Sequence, residues 1–468
     1  MRRQRTALLA CFGVWGIAAC SQVPAYTRPA APLPDRFVEN ETAARSAAGP
    51  EAGFWERFES PELLALMQEA LQVNHDLQAA AERVVQAQAS LGRAHSELLP
   101  TVGASVGGTG TATRQLSGDR LRTAYTDSVQ MTASYEVDLF KANRAGQMSA
   151  EATLASTEYA RQVVALSLQA SVASAYLQAL AIQDRLKIAE SNLAAAEELL
   201  RLVEVRLENG AGTALELVQQ RTAVLTIRST LPGLRQSLAE TLHGLSILVG
   251  RSPVGFTIAG DGLASLQVPG VGAGLPVALL ERRPDLKQAE YALIAAHADV
   301  GAARAALYPS LTLTASAGAD GVLSGGTSLF AQLVGSLTQT LFDSGRRQAQ
   351  VDLSEAACRE LAETYLQAVL TALQEVQDSL VATTTNTETV ELLADTAAQA
   401  RESLRLSRLR YEQGADDLLA VLDSQTSLLS AEDGLVQAEL ARFLTAVNLF
   451  KALGGGGPKA ATSPQESL

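Results

Sequence analysis

Between Val129 and Leu139 the chain alternates. Val129, Met131, Ala133, Tyr135, Val137 and Leu139 are separated by Gln130, Thr132, Ser134, Glu136 and Asp138. Period two over such a length predicts a strand with one dry face. Residues 101–113 alternate more weakly, with small side chains, and the polar stretch 115–122 suits a hairpin loop. The pattern returns in 311–319. It returns again where Leu333, Gly335, Leu337 and Leu341 alternate with Gln332, Ser336, Thr338 and Thr340, with a turn at 320–328. Two hairpins are expected, with strands at about 101–113, 126–139, 310–319 and 329–342. Strands of roughly ten residues cross a bilayer when tilted, although a soluble pair of hairpins would alternate in the same way. Four strands do not close a barrel, and an open edge in lipid leaves backbone groups unpaired. A membrane reading therefore requires several copies to share one sheet.

Elsewhere the period is helical. Residues 346–413 and 147–209 contain no Gly or Pro. At 1.5 Å per residue each would form a helix of roughly 100 Å, too long for the core of a compact domain, so an elongated body is expected. In the first, Leu186, Leu193, Leu200 and Leu207 recur every seven residues, with Ile182, Ala189, Ala196 and Val203 beside them, as in a coiled-coil seam. In the second, Leu366, Leu373 and Leu380 keep one frame, while Val390, Ala397, Leu404 and Tyr411 keep another. A local irregularity is expected at the slip, in residues 383–389. Ser60-Pro61 starts a helix that is expected to run to Leu99, and residues 282–307 hold another. Gly210 and Gly414 end the long helices, and shorter helices return.

These elements occur twice. Residues 76–100 match 285–309, LFKANR at 139–144 matches LFDSGR at 341–346, and 205–218 match 409–422. The chain is a tandem duplication with a period of about 205 residues, too few copies for a solenoid. The expected organisation is residues 1–19 as a signal peptide and 20–60 as a Pro- and Ala-rich tether. Residues 61–250 form repeat one, 251–281 a Gly- and Pro-rich link, 282–454 repeat two, and 455–468 a tail.

Composition narrows the class. A formal charge of −13 makes nucleic acid an unsuitable partner. The four His residues show no metal spacing, and no nucleophile elbow or phosphate loop is present, so neither an enzyme nor a cofactor is expected. The leader carries three Arg and then an apolar run too short to span a bilayer. It ends in Ile17-Ala18-Ala19-Cys20, which resembles a bacterial lipobox and implies a covalent lipid on Cys20, with Ser21 permitting outer-membrane sorting.

The leader with Cys20, the duplication, YEVDLF (135–140), ERRPDL (281–286), ALYPSLTL (306–313), LFDSGRR (341–347) and RYEQG (410–414) together resemble the outer membrane factor family. These are TolC-like proteins, and the chain looks similar to the lipoprotein, NodT-type branch that serves RND efflux systems. The resemblance implies a mainly α fold with a membrane β part. Three chains would give one shared 12-stranded barrel above a periplasmic α-barrel. It implies an outer-membrane exit duct for small molecules, with a periplasmic adaptor and an inner-membrane RND transporter as partners. A type I secretion channel and a periplasmic adaptor with long helical hairpins are the alternatives. By the same resemblance Gly210, Thr213 and Gly414 mark adaptor-docking turns. Arg410, Tyr411, Asp416 and Asp417 are the gate candidates. Repeat one lacks that Tyr and both Asp, having Leu207, Gly212 and Thr213 in their places; Asp at a helix start is also an ordinary cap.

Overall fold

The structure is a computed structural model. It describes residues 22–34, 37, 53–114, 121–270, 272, 274–322 and 326–455. Cys20 and Cys11 lie outside these.

The chain divides into two compact units. One comprises Met1–Ala30, Glu82–Tyr159 and Gln288–Gln367, and the other Ala31–Ala81, Ala160–Lys287 and Ala368–Leu468. In chain order the main elements are α1 (Pro61–Val73), α2 (His75–Ser96), β1 (Thr101–Arg114), β2 (Leu121–Val137), α3 (Ala142–Glu208) and α4 (Ala214–Val249). Repeat two follows with α5 (Pro284–Ala305), β3 (Ser310–Asp320), β4 (Ser328–Thr338), α6 (Arg346–Glu412) and α7 (Leu418–Ala452).

The first unit holds a four-stranded antiparallel sheet in the order β1-β2-β3-β4. The register gives it two unlike faces. Val106, Val129 and Ala319 lie in one row, and Ala104, Met131, Ala317 and Ala331 in the next. Alternating with them, Ser105, Gln130, Gly318 and Phe330 align, then Gly103, Thr132, Ser316 and Gln332. Because side chains alternate, the aliphatic rows share one face and the hydroxyl and amide rows the other. In the same unit residues 22–30 lie along α5. Arg28 Nε and Nη2 donate to both Glu290 oxygens at 2.6 and 2.9 Å, and Tyr26 meets the His297 ring edge-on at 5.9 Å.

The second unit has the apolar core. Phe54, Phe58, Leu63, Tyr176, Leu177, Leu180, Leu245, Phe443 and Phe450 form one buried cluster. In α3 the buried seam is Leu186, Ala189, Ala196 and Val203, with Leu193 half-buried beside it. Along α6, whose first part belongs to the first unit, Val351, Tyr365, Val369, Ala372, Val376 and the expected Leu380 are buried, as are Val390, Ala397 and Tyr411 of the second frame; the expected Leu366 and Leu373 sit one position off that stripe and are half-buried. The irregularity expected at 383–389 is absent, since α6 is continuous through it. Thr383, Thr385, Thr387 and Thr389 each return their hydroxyl to the carbonyl four residues back, a bond that the helix accommodates. The frame still slips, with no buried residue between Leu380 and Val390.

The helix expected from Pro61 to Leu99 is broken at Asn74. Its backbone is extended there, and its Oδ1 accepts from Leu77 N at 3.0 Å, capping α2. Arg283 breaks repeat two at the equivalent point. It is buried against Asp285, Glu375 and the Ala452 carbonyl. Burial works against its charge, but the two carboxylates outweigh it and raise its pKa.

The duplication is more regular in structure than in letters. The bounds of α2 and α5 differ by 209 at both ends, and those of α3 and α6 by 204 at both ends. The hairpin registers agree: Thr101 faces Ser134, and Ser310 faces Thr338. The two Leu-Phe pairs at 139–140 and 341–342 match as letters but are 202 apart, so they are not structural counterparts. Lys141 and Gly345, each just before a long helix and each at positive φ, are.

Candidate functional site

A duct needs a wall in the membrane and a mouth that opens and closes. The two-faced sheet has the chemistry of a wall. On its aliphatic face Val106, Val129, Met131, Leu329, Leu333 and Leu337 are exposed, and Gln130, Thr132, Ser134 and Glu136 stand on the other. The faces are those expected from the alternation of 129–137.

The mouth candidates are the turns after α3 and α6, both in the second unit. Each turn closes alike. Gly210 and Gly414 adopt φ of 72° and 73°, where a side chain is disfavoured. The next amides, Ala211 N and Ala415 N, donate back to the Arg206 and Arg410 carbonyls at 2.8 Å. Thr213 then caps α4 in a full capping box with Glu216, and Asp417 caps α7 through Ala420 N. Thr213 and Asp417 therefore both cap the following helix, Thr213 with a further bond from its hydroxyl to Glu216.

The other differences are coupled. Arg410 Nε donates to Asp416 at 3.1 Å within its own turn. Repeat one has Gly212 at the Asp416 position, where a Cβ would come within 3.1 Å of Leu207 N. Without that carboxylate Arg206 reaches across to the other turn. Its Nη1 donates to the Tyr411 carbonyl at 2.7 Å, and its guanidinium lies 4.5 Å from the Tyr411 ring centroid. Tyr411 is 1% exposed and packs with Leu199, Val203, Leu418 and Val421. Its hydroxyl lies beside the Glu216 carboxylate without well-formed hydrogen-bond geometry. Burial raises its pKa, aided by the nearby Glu216 carboxylate and opposed by Arg206. Glu216 engages Thr213 instead. Tyr411 is thus held through its ring and carbonyl rather than its hydroxyl.

Arg206 was not among the sequence candidates. Its signal was available: an Arg shared by both turns, with its acidic neighbour present in one only. A ladder was missed too. Arg221, Arg228 and Arg235 on α4 pair with Glu204, Glu197 and Glu190 on α3 at 3.0, 2.5 and 3.0 Å. Both series step by seven, as charges flanking a coiled-coil seam do. Repeat two has one such pair, Arg401 on α6 with Glu432 on α7 at 2.6 Å, and no ladder among the described residues. Its Arg408 pairs with Glu198, and its Asp433 with Arg185, both on α3.

The model of the family described as outer membrane efflux protein matches residues 66–251 and 275–455. The chain is 40% identical over 451 residues to the pyoverdine export outer membrane protein OpmQ of Pseudomonas aeruginosa, covering 94% of each. It is 31% identical to the cation efflux system protein CusC of Escherichia coli, covering 94% of this chain and 96% of the relative. Among solved structures it resembles the outer-membrane channel OprN at 27% identity and a TM-score of 0.86, covering 93% of this chain and 99% of that one. With long helices, four antiparallel strands and the matched model in both repeats, the chain belongs to the outer membrane efflux protein family and is the outer-membrane channel of an efflux pump.

Proposed function

We propose that three copies of this chain share one 12-stranded barrel, and that the assembly is a passive exit duct for small molecules. The observation that carries this reading is the sheet, which has an aliphatic face, a hydroxyl face and two unpaired edges among the described strands. An aliphatic face suits lipid and a hydroxyl face suits water, but unpaired edges do not survive in a bilayer. Sharing between copies meets all three demands. The reach of cargo from pyoverdine to cations among the relatives supports a duct that leaves selection to other components.

The finer assignments follow. Cys20 carries acyl chains that tether the mature chain, as its lipobox-like context supports, and the barrel inserts without them because its own apolar band holds it. Gly210, Thr213 and Gly414 form the surface on which a periplasmic adaptor docks, with an RND transporter beneath. Arg410, Tyr411, Asp416 and Asp417 surround the mouth, and Arg206 ties the two turns of each chain together in the closed state. The Asp side chains recur once per copy and favour cations at the entrance.

Photo-crosslinking from positions 213 and 414 in whole cells tests the partner assignment. Capture of an adaptor protein and co-purification of an RND transporter are expected. Crosslinks to other classes of protein only, with the efflux phenotype intact, would contradict it. Metabolic labelling with a palmitate analogue tests the anchor: Cys20→Ser should remove the label, and a variant that stays labelled would contradict it.

A further inference from the structure

The hydroxyl face of the sheet is interrupted on one strand. Within 101–109, 128–136 and 310–320 that face holds only hydroxyl, amide, carboxyl and glycine positions. On β4 it holds Phe330, Gln332, Val334 and Ser336. Phe330 lies in the row of Ser105 and Gln130, and Val334 in the row of Thr101 and Ser134. Two apolar side chains thus stand four residues apart, on one face of one strand, among polar rows.

The pair is built into the ladder. Phe330 sits opposite Gly318, and a Cβ on that glycine would come within 2.9 Å of the Phe330 Cζ. The ring therefore lies over bare glycine backbone, as aromatic side chains do when they cover a glycine across a strand pair. By the offsets of 209 and 204 the counterparts in repeat one are Thr109 and Thr126, which also face each other. Both members change together, a ring and a glycine for two threonines. Val334 stands where repeat one has Gln130. Val334 is 47% exposed and Phe330 is half-buried, so apolar surface remains open on this face. Ser316 faces Gln332, between the two. It is 6% exposed, and its Oγ has no hydrogen-bond partner. A hydroxyl closed off from water marks the same patch as dry.

We propose that Phe330 and Val334 of each copy form an apolar step in the duct wall, on which cargo carrying an aromatic ring rests as it leaves. The Phe330 ring offers stacking, which adds to the area buried, and it attracts a cation attached to the cargo. Val334 supplies aliphatic surface beside it. Hydrated ions gain nothing from either side chain. The proposal rests on the reading that this face lines a water-filled duct, and adds the class of cargo that the wall favours.

Block of the potassium current through purified oligomers in planar bilayers tests it. The probes are benzyltriethylammonium, which carries a ring, and tetraethylammonium, which does not. Both are added on the extracellular side, from which the barrel is reached without crossing the periplasmic mouth. The aromatic cation should block at an about fivefold lower concentration. Phe330→Thr combined with Val334→Gln gives β4 the residues of β2, and should bring the two cations to about equal potency. Thr126→Phe combined with Thr109→Gly copies the ring onto repeat one in a chain that keeps its own, and should widen the difference. That variant and the parent decide the matter even where the first fails to assemble. Equal block in the parent duct would overturn the step while leaving the duct standing. So would a difference that survives the loss of both side chains, or one that the added ring leaves unchanged. A parent oligomer that inserts but carries no ion current would overturn the duct, and the step with it.

Discussion

The two repeats agree in the sheet and disagree at the turns. In the sheet residues 101–111 and 124–134 of repeat one have counterparts on the same faces at 310–320 and 328–338: Val129 corresponds to Leu333 and Ala133 to Leu337, although Gln130 corresponds to Val334. At the turns the counterparts of Leu207 and Gly212 are a buried Tyr and an acidic residue. A wall around an axis meets the same lipid and the same water at every strand, so the physics gives both copies one solution. A mouth that opens needs one part to move against another. Two identical hairpins, each closed on itself, would offer no contact whose loss releases one of them. The ladder of three Arg–Glu pairs closes hairpin one on itself. Hairpin two has a single such pair of its own, Arg401 with Glu432, and leans on α3 through Arg185, Glu198 and Arg206. The two hairpins therefore differ in how each is held, the first by its own ladder and the second also by α3 of the other repeat.

The largest test of this contrast lies in the wall. Val129→Arg and Leu333→Arg should each cost about 2–4 kcal/mol per chain at mid-bilayer depth. The two costs should agree, read as matching losses of folded oligomer in denaturant titrations. A variant that leaves one repeat unaffected would break the symmetry of the wall. At the turns the opposite holds. Tyr411→Ala removes a buried aromatic ring and should cost about 3 kcal/mol. Leu207→Ala at the equivalent, half-buried position should cost less than half of that in the same titration.

Function should divide in the same way. Arg206→Met should raise the resting conductance of purified oligomers in planar bilayers, and Arg410→Ser should raise it less, since Arg410 is paired within its own turn. Tyr411→Phe should leave conductance unchanged, because the ring and carbonyl that Arg206 holds remain. A Tyr411→Phe duct that opens as far as Arg206→Met would relocate the tie to the hydroxyl. The smallest effect is the cap. Thr213→Ala and Asp417→Ala should each cost about 1 kcal/mol, because each side chain accepts an amide bond at the third helical position. A cost at Asp417 well above that at Thr213 would give Asp417 a role beyond capping.

The wall was legible in the sequence because period two needs only local neighbours. Val129 to Val137 settles its own face wherever the strand pairs. The long helices were legible because nothing in 147–209 or 346–413 could end them. The break at Asn74 was not, because an Asn side chain caps or stays helical according to what lies around it; here the Leu248 carbonyl accepts from its amide and holds the turn. The strands' true offset was hidden by the repeated Leu-Phe letters, which lie two residues out of structural step. At the mouth the residue types were readable but their partners were not. Arg206 and Tyr411 are 205 positions apart, and no local pattern connects them.

The central claim is that the sheet is the wall of a water-filled duct through the outer membrane. Single cysteines from 129 to 136 in a Cys358→Ser chain, probed in intact cells with a membrane-impermeant thiol reagent, test it most directly. The account predicts rapid labelling at 130, 132, 134 and 136, and slow labelling at 129, 131, 133 and 135, where lipid covers the thiol. Uniform labelling along the strand, or the reverse alternation, would contradict it.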